Sequence, residues 1–198
     1  MATFALALCC AVGAAHAAQG TQAKPTASAA VPASPFTVQV NRDLLAPNIA
    51  LTSMSKRKST LAKELDAAEP VVLNFIFTTC ATICSTQTAT LAALQRQLRE
   101  GAKPAKFMTF TIDPDNDTPE QLARFAGQFG IASGWDFFTG NFDDLLRQQQ
   151  AFDVYRGAKA NHLPVVMMRA DRASPWVRVE GHPSPQELRG VFDRLPRS

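Results

Sequence analysis

The sequence predicts an α/β fold, a central mixed sheet flanked by helices with a hairpin extension at its N-terminal side. Three observations predict it. Residues 71–77 (VVLNFIF) are an apolar run with one Asn, rich in β-branched and aromatic side chains and only about seven long, which marks a buried strand and not a helix. Leu91, Leu94 and Leu98 then recur at helical spacing, and a second apolar run, 107–112 (FMTFTI), follows them. Strand, helix and strand in alternation are the pattern of a parallel sheet built one crossover at a time. The chain has 198 residues, 46% of them hydrophobic, enough for one ordinary core and hardly for two.

Taken in order, the first eighteen residues carry no charged side chain and reach Ala15-His16-Ala17, an A-x-A cleavage pattern. Residues 1–17 read as a signal peptide or N-terminal anchor, although no Lys or Arg precedes Lys24 and about 17 Ala-rich residues are short for a bilayer span. Residues 18–35, mostly Ala, Pro, Ser and Thr, cannot build a core and read as a tether. The folded domain is expected over 36–198. Segments 36–40 and 49–51 read as an N-terminal hairpin or edge strands, Lys56-Arg57-Lys58 as its solvated turn, and 59–67 as a short helix before the central strand. Net charge is +3 with both signs interspersed, and the basic cluster has no interleaved aromatics, so no nucleic-acid surface is expected.

The central strand runs straight into Cys80 and Cys84, at the junction between a strand's carboxyl end and a helix over 86–100. In open α/β sheets ligands bind at such junctions. Residues four apart share a helix face, so two thiolates there can close on one small soft ion or on each other. The helix N-terminus, with its free N–H groups, is expected to lower their pKa. Cys9 and Cys10 lie in the signal, so a processed protein keeps only Cys80 and Cys84, a single pair in an oxidising compartment. A bridge across so short a loop removes little chain entropy, which makes a redox-active or metal-binding pair the better account than a structural staple.

Beyond the second strand, 113–121 (DPDNDTPEQ) holds three aspartates on a loop. Turn chemistry explains them better than a metal site does, with Asp113 given at most a supporting role. Thr118 as N-cap, Pro119 and Gln121 start a helix expected through residue 129. A third strand is expected over 135–139, a helix over 141–152 with Asp143 and Asp144 in its first turn, and a loop over 155–163. Segments 164–168 and 176–179 form a hairpin, and Ser184-Pro185-Gln186-Glu187 caps a last helix through residue 195.

The order βαβα, βα, hairpin and closing helix matches a thioredoxin-like arrangement with an insertion. In it the first hairpin strand runs antiparallel to the central strand. Asn161, His162 and Pro164 then come close to Cys80 and Cys84, and His162 becomes the third candidate ligand. His16 leaves with the signal, and His182 sits in a Gly181-His182-Pro183 turn where exposure explains it.

These residues carry a resemblance: VVLNFIFTTCATIC, then TIDPDNDTPEQLARFAGQFG, then an isolated His before a hairpin resemble the Sco/SenC family over most of residues 49–195. That resemblance implies a thioredoxin fold, a membrane-tethered or exported location, and copper delivery or thiol reduction during assembly of the copper centre of cytochrome oxidase. It also implies Cys80, Cys84 and His162 as copper ligands. The chain departs at Ser85, where many members have Pro, at Asn161-His162-Leu163, where they have Asp-His-Ser/Thr, and at Pro164, the position where a cis-proline opens the strand in thioredoxin-like reductases.

The function expected is therefore an exported, periplasmic copper-binding metallochaperone, open to inner-membrane tethering through its N-terminus. Its acceptor would be a respiratory oxidase subunit or another copper or thiol protein. Two thiolates and a neutral imidazole suit Cu(I), whereas zinc would want a fourth ligand. The alternative is a periplasmic thiol-disulfide oxidoreductase, with the Cys80-Cys84 pair catalytic, Cys80 attacking and Cys84 resolving.

Overall fold

The computed structural model describes Met1 and residues 36–197; the expected signal, the tether, Cys9, Cys10 and His16 lie outside the described residues. Its strands are β1 (Phe36–Asn41), β2 (Ala50–Ser53), β3 (Lys58–Thr60), β4 (Val71–Ile76), β5 (Lys106–Thr111), β6 (Trp135–Thr139), β7 (Val165–Arg169) and β8 (Trp176–Gly181). The helices are α1 (Leu61–Leu65), α2 (Ile83–Glu100), α3 (Pro119–Ala126), α4 (Phe142–Ala151) and α5 (Pro185–Asp193), with a single 3-10 turn at Lys159–Asn161. All eight strands join one mixed sheet in the order β1-β8-β7-β4-β5-β6-β2-β3.

The centre follows the sequence-based expectation. β4 and β5 are parallel (Val72↔Phe107), β5 and β6 are parallel, and β7 runs antiparallel to β4 (Asn74↔Val166). All six residues of β4 are buried, because its side chains alternate between two cores. Val72 and Ile76 face α2, α3 and α5, alongside Leu91, Leu94, Leu122 and Phe192. Val71, Leu73 and Phe75 face α1 and α4, alongside Leu61, Leu145 and Phe152. The chain thus forms the expected thioredoxin-like fold, helices on both faces of a mixed sheet.

Asn74 is the polar exception on the α2 face, and its groups are paired. Its Nδ2 donates to Gln87 Oε1 of α2 at 3.0 Å, and its Oδ1 accepts from Thr109 Oγ1 at 2.7 Å. Trp135 Nε1 donates to the same Thr109 oxygen at 2.9 Å. One polar chain therefore fastens the cysteine-bearing helix to three adjacent strands.

Three expectations need correction. Segments 36–40 and 49–51 do not form a hairpin with each other: β1 pairs with β8 (Val38↔Val179) at one edge, and β2 lies near the other, between β6 and β3. The hairpin is β2–β3, and the pairing of β1 is decided by a partner some 140 residues away that local pattern cannot announce. Nor is the basic turn merely solvated, since Arg57 binds Glu64 at 2.6 Å and Asp136 at 3.0 Å, while Lys56 pairs with Glu120. Finally, α2 begins at Ile83 and α3 ends at Ala126, although Phe129 still packs on Phe125 at 5.0 Å between ring centroids. The Thr118 cap on Gln121 and the full Ser184–Glu187 capping box form as expected.

Candidate metal centre

β4 ends at Ile76, and the chain turns once before α2. Cys80 N–H donates to the Phe77 carbonyl at 3.1 Å, which tightens the turn, and Cys84 N–H donates to Cys80 Sγ at 3.4 Å. Cys84 sits in the first turn of the helix. Both cysteines are free thiols, Cys84 fully buried and Cys80 partly exposed. The expectation of a lowered pKa fails at Cys84. Burial pushes that thiol up to about 12, and the hydrogen bond and charge of Cys80 and the charge of Asp117 add to it, against a backbone hydrogen bond from Phe77. Burial in an apolar setting outweighs the helix terminus here.

The base of the loop is held by Asp117, a residue the sequence reading passed over as turn chemistry. It is wholly buried. Its carboxylate accepts from Thr78 N–H at 3.1 and 3.2 Å, from Thr78 O–H at 2.5 Å and from Thr111 O–H at 2.5 Å. The signal that could have found it is the pair of threonines just at the ends of two neighbouring parallel strands, each needing an acceptor.

His162 follows the 3-10 turn and precedes β7. It is only 7% exposed, contrary to the solvated loop histidine it would otherwise be. Its Nε2 lies 3.0 Å from the Phe75 carbonyl of β4. A carbonyl only accepts, so Nε2 carries the hydrogen and Nδ1 keeps a lone pair. That Nδ1 is buried and has no hydrogen-bond partner. Burial lowers the pKa of the ring and the Arg156 charge adds to this, against the Phe75 bond, so the imidazole is held neutral.

The structure thus brings Cys80 and Cys84 together and hangs His162 from the same strand that feeds them. It does not close the three around a common point: among the described residues no group of three His, Cys, Asp or Glu side chains is gathered closely enough to hold an ion. Asp113 pairs with Lys159 at 2.5 Å, and His182 is exposed in its turn. Leu163–Pro164 is trans, as is every described peptide bond, so the likeness to the reductases at this proline does not hold. Chemically, two thiols and one unpaired neutral imidazole nitrogen are a soft donor set of the kind that suits Cu(I).

A thioredoxin-like sheet with a cysteine pair at the carboxyl end of its central strand and a buried histidine beside that strand defines a class of thiol or soft-metal proteins. Within it the chain belongs to the SCO1/SenC family, whose model matches residues 51–168. It is similar to the SCO1 protein homolog of Bacillus subtilis (strain 168), 36% identical over 107 residues, which are 54% of this chain and 48% of that protein. The chain matches about half the length of this curated relative. Among solved structures, Arabidopsis thaliana ScoI with copper bound superposes with a TM-score of 0.65 at 21% identity, over 75% of this chain and 96% of its own. BsSco, described as a member of the Sco family of cytochrome c oxidase assembly proteins, gives 0.62 at 21% identity, over 77% and 95%.

Proposed function

We propose that the protein is an exported copper-binding metallochaperone that assists assembly of the copper centre of a respiratory oxidase, with Cys80, Cys84 and His162 as its ligands. The observation that carries this is the buried His162 Nδ1, a lone pair without a partner, in a ring hung from the Phe75 carbonyl of the strand that feeds two unbridged cysteines. A buried polar atom left unpaired costs free energy, and a site waiting for a ligand is the reason to tolerate it. Nε2–H donates to the Phe75 carbonyl, the hydrogen bond from the other ring nitrogen that a metal-binding histidine typically makes and that fixes its tautomer. Copper is cargo here. Taking it up displaces the proton that burial holds on Cys84, so uptake releases protons and strengthens with pH. Three ligands leave one side of the ion for an acceptor's ligands, and transfer proceeds by exchange. The acceptor is an oxidase subunit or another copper or thiol protein. Residues 1–17 serve export or anchoring, 18–35 tether, and 36–198 carry the function; among the described residues no helix is long and apolar enough to cross a membrane.

Anaerobic Cu(I) titration of the reduced protein against a competing chelator tests this. One copper is expected, lost in Cys80→Ser and weakened at least about 10-fold in His162→Ala. Binding indifferent to His162 sinks the site.

The order of exposure supports a second reading, a thiol-disulfide oxidoreductase. The accessible Cys80 thiolate attacks a partner disulfide and releases one partner thiol; Cys84, losing its proton, then attacks Cys80 Sγ and releases the other, so the partner gains two electrons and two protons while the Cys80–Cys84 pair is oxidised. Replacing His162 would then change a rate and leave the reaction intact.

A further inference from the structure

Two carboxylates outside the ligand set stand in one closed turn. Asn116 N–H and Asp117 N–H both donate to the Asp113 carbonyl, at 3.1 and 2.9 Å, and Asn116 Nδ2 donates to Asp113 Oδ1 at 2.9 Å. Asp113 N–H is itself tied to Thr111 Oγ1 at 2.9 Å. The turn is therefore stiff, and two of its acids, Asp117 and Asp113, each reach a different arm of the site. Asp117 takes both donors of Thr78, two residues before Cys80. Asp113 takes the ammonium of Lys159, three residues before His162, and His162 N–H donates back to the Lys159 carbonyl at 3.1 Å. The same ammonium lies 5.6 Å from the centre of the Phe77 ring, whose carbonyl holds Cys80 N–H.

We propose that the Asp113–Asp117 turn is a bracket that sets the separation between the Cys80–Cys84 loop and the His162 segment, with Asp117, Asp113 and Lys159 as positioning residues. The functional value of this rests on the copper reading above; the mechanical part does not. Positioning has a signature that general stabilisation lacks, because each arm of the bracket should act only through its own ligand.

The first measurement is amide hydrogen exchange by NMR on the metal-free full chain. Asp117→Asn should speed exchange of the Thr78 amide, and Lys159→Met that of the His162 amide, each about 10-fold or more. Unchanged rates overturn the bracket. Should Asp117→Asn fail to fold, Thr78→Val, which removes the hydroxyl bond alone, reads the same arm. The second is Cu(I) competition in two backgrounds. Lys159→Met should weaken binding about 10-fold in the native sequence and no further in His162→Ala, whereas Asp117→Asn should weaken it about 10-fold in both. An equal loss from Lys159→Met in both backgrounds, or none in either, overturns the positioning role. Absence of copper binding by the native protein overturns the copper reading, while the exchange rates still decide the bracket.

Discussion

The fold buries a carboxylate at each end of its central strands, and the two are held in opposite ways. Glu64, near the amino ends, is 4% exposed and binds Arg57 and Lys106 at 2.6 and 2.9 Å. Burial alone would raise its pKa, yet hydrogen bonds from Arg57 and Lys106 outweigh that and hold it at about 2. Asp117, at the carboxyl ends, is held by two hydroxyls and a backbone N–H, all neutral. Its charge reaches Cys84 and opposes loss of the thiol proton. One pole is neutralised by the protein's own cations. The other is met only by neutral donors.

Removing each acid tests the contrast, beginning with the larger effect. Asp117→Ala leaves the buried Thr111 hydroxyl and the Thr78 donors without an acceptor, and about 3 kcal/mol should be lost in urea unfolding. Glu64→Ala should cost less, about 1–2 kcal/mol, because Arg57 and Lys106 are 45% and 25% exposed and their charges can turn to water. The reverse ranking would break the comparison. His162 sharpens it through pH. Its folded pKa lies below the unfolded value of 6.5, so the unfolded chain binds the proton first as pH falls. Stability is full above about pH 6.5 and declines below it, by at most about 1.4 kcal/mol per pH unit, until the folded pKa is passed. Thermal midpoints of His162→Gln should lack that component. At Cys84 the sign reverses, and iodoacetamide at pH 8 should label Cys80 well before the buried, protonated Cys84. Smallest is Lys56→Ala: its pair with Glu120 is exposed on both sides, and the chemical-denaturation midpoint should not move measurably.

What could be read from the sequence was local, or followed from topology once local elements were in hand. The largely apolar run 71–77 ahead of Cys80 announces a strand whatever lies around it, and the leucines of α2 announce a helix. His162 was singled out by inference from strand order, and the strand order itself, β7 antiparallel to β4, is as expected. Of the two readings of residues 36–40, the edge strand holds and the hairpin does not, because β1 pairs with β8 and an edge strand of mostly exposed residues has no pattern that names its neighbour. Asp117 was missed for a related reason: an Asp between Asn and Thr looks like any turn until Thr78 and Thr111 are known to converge on it. The Cys84 thiol went the other way from expectation because burial is a property of the packed molecule and helix position is a property of the chain.

One feature of the strand has a mechanical consequence. The Phe75 carbonyl on β4 carries His162 Nε2–H, and the Phe77 carbonyl, one residue past the end of the strand, carries Cys80 N–H, so both hang from one length of chain that acts as a rail. Breathing of the sheet that slides this rail moves imidazole and thiol in common mode and leaves their spacing as it was. Motion of the loop against the 3-10 turn is what would change that spacing.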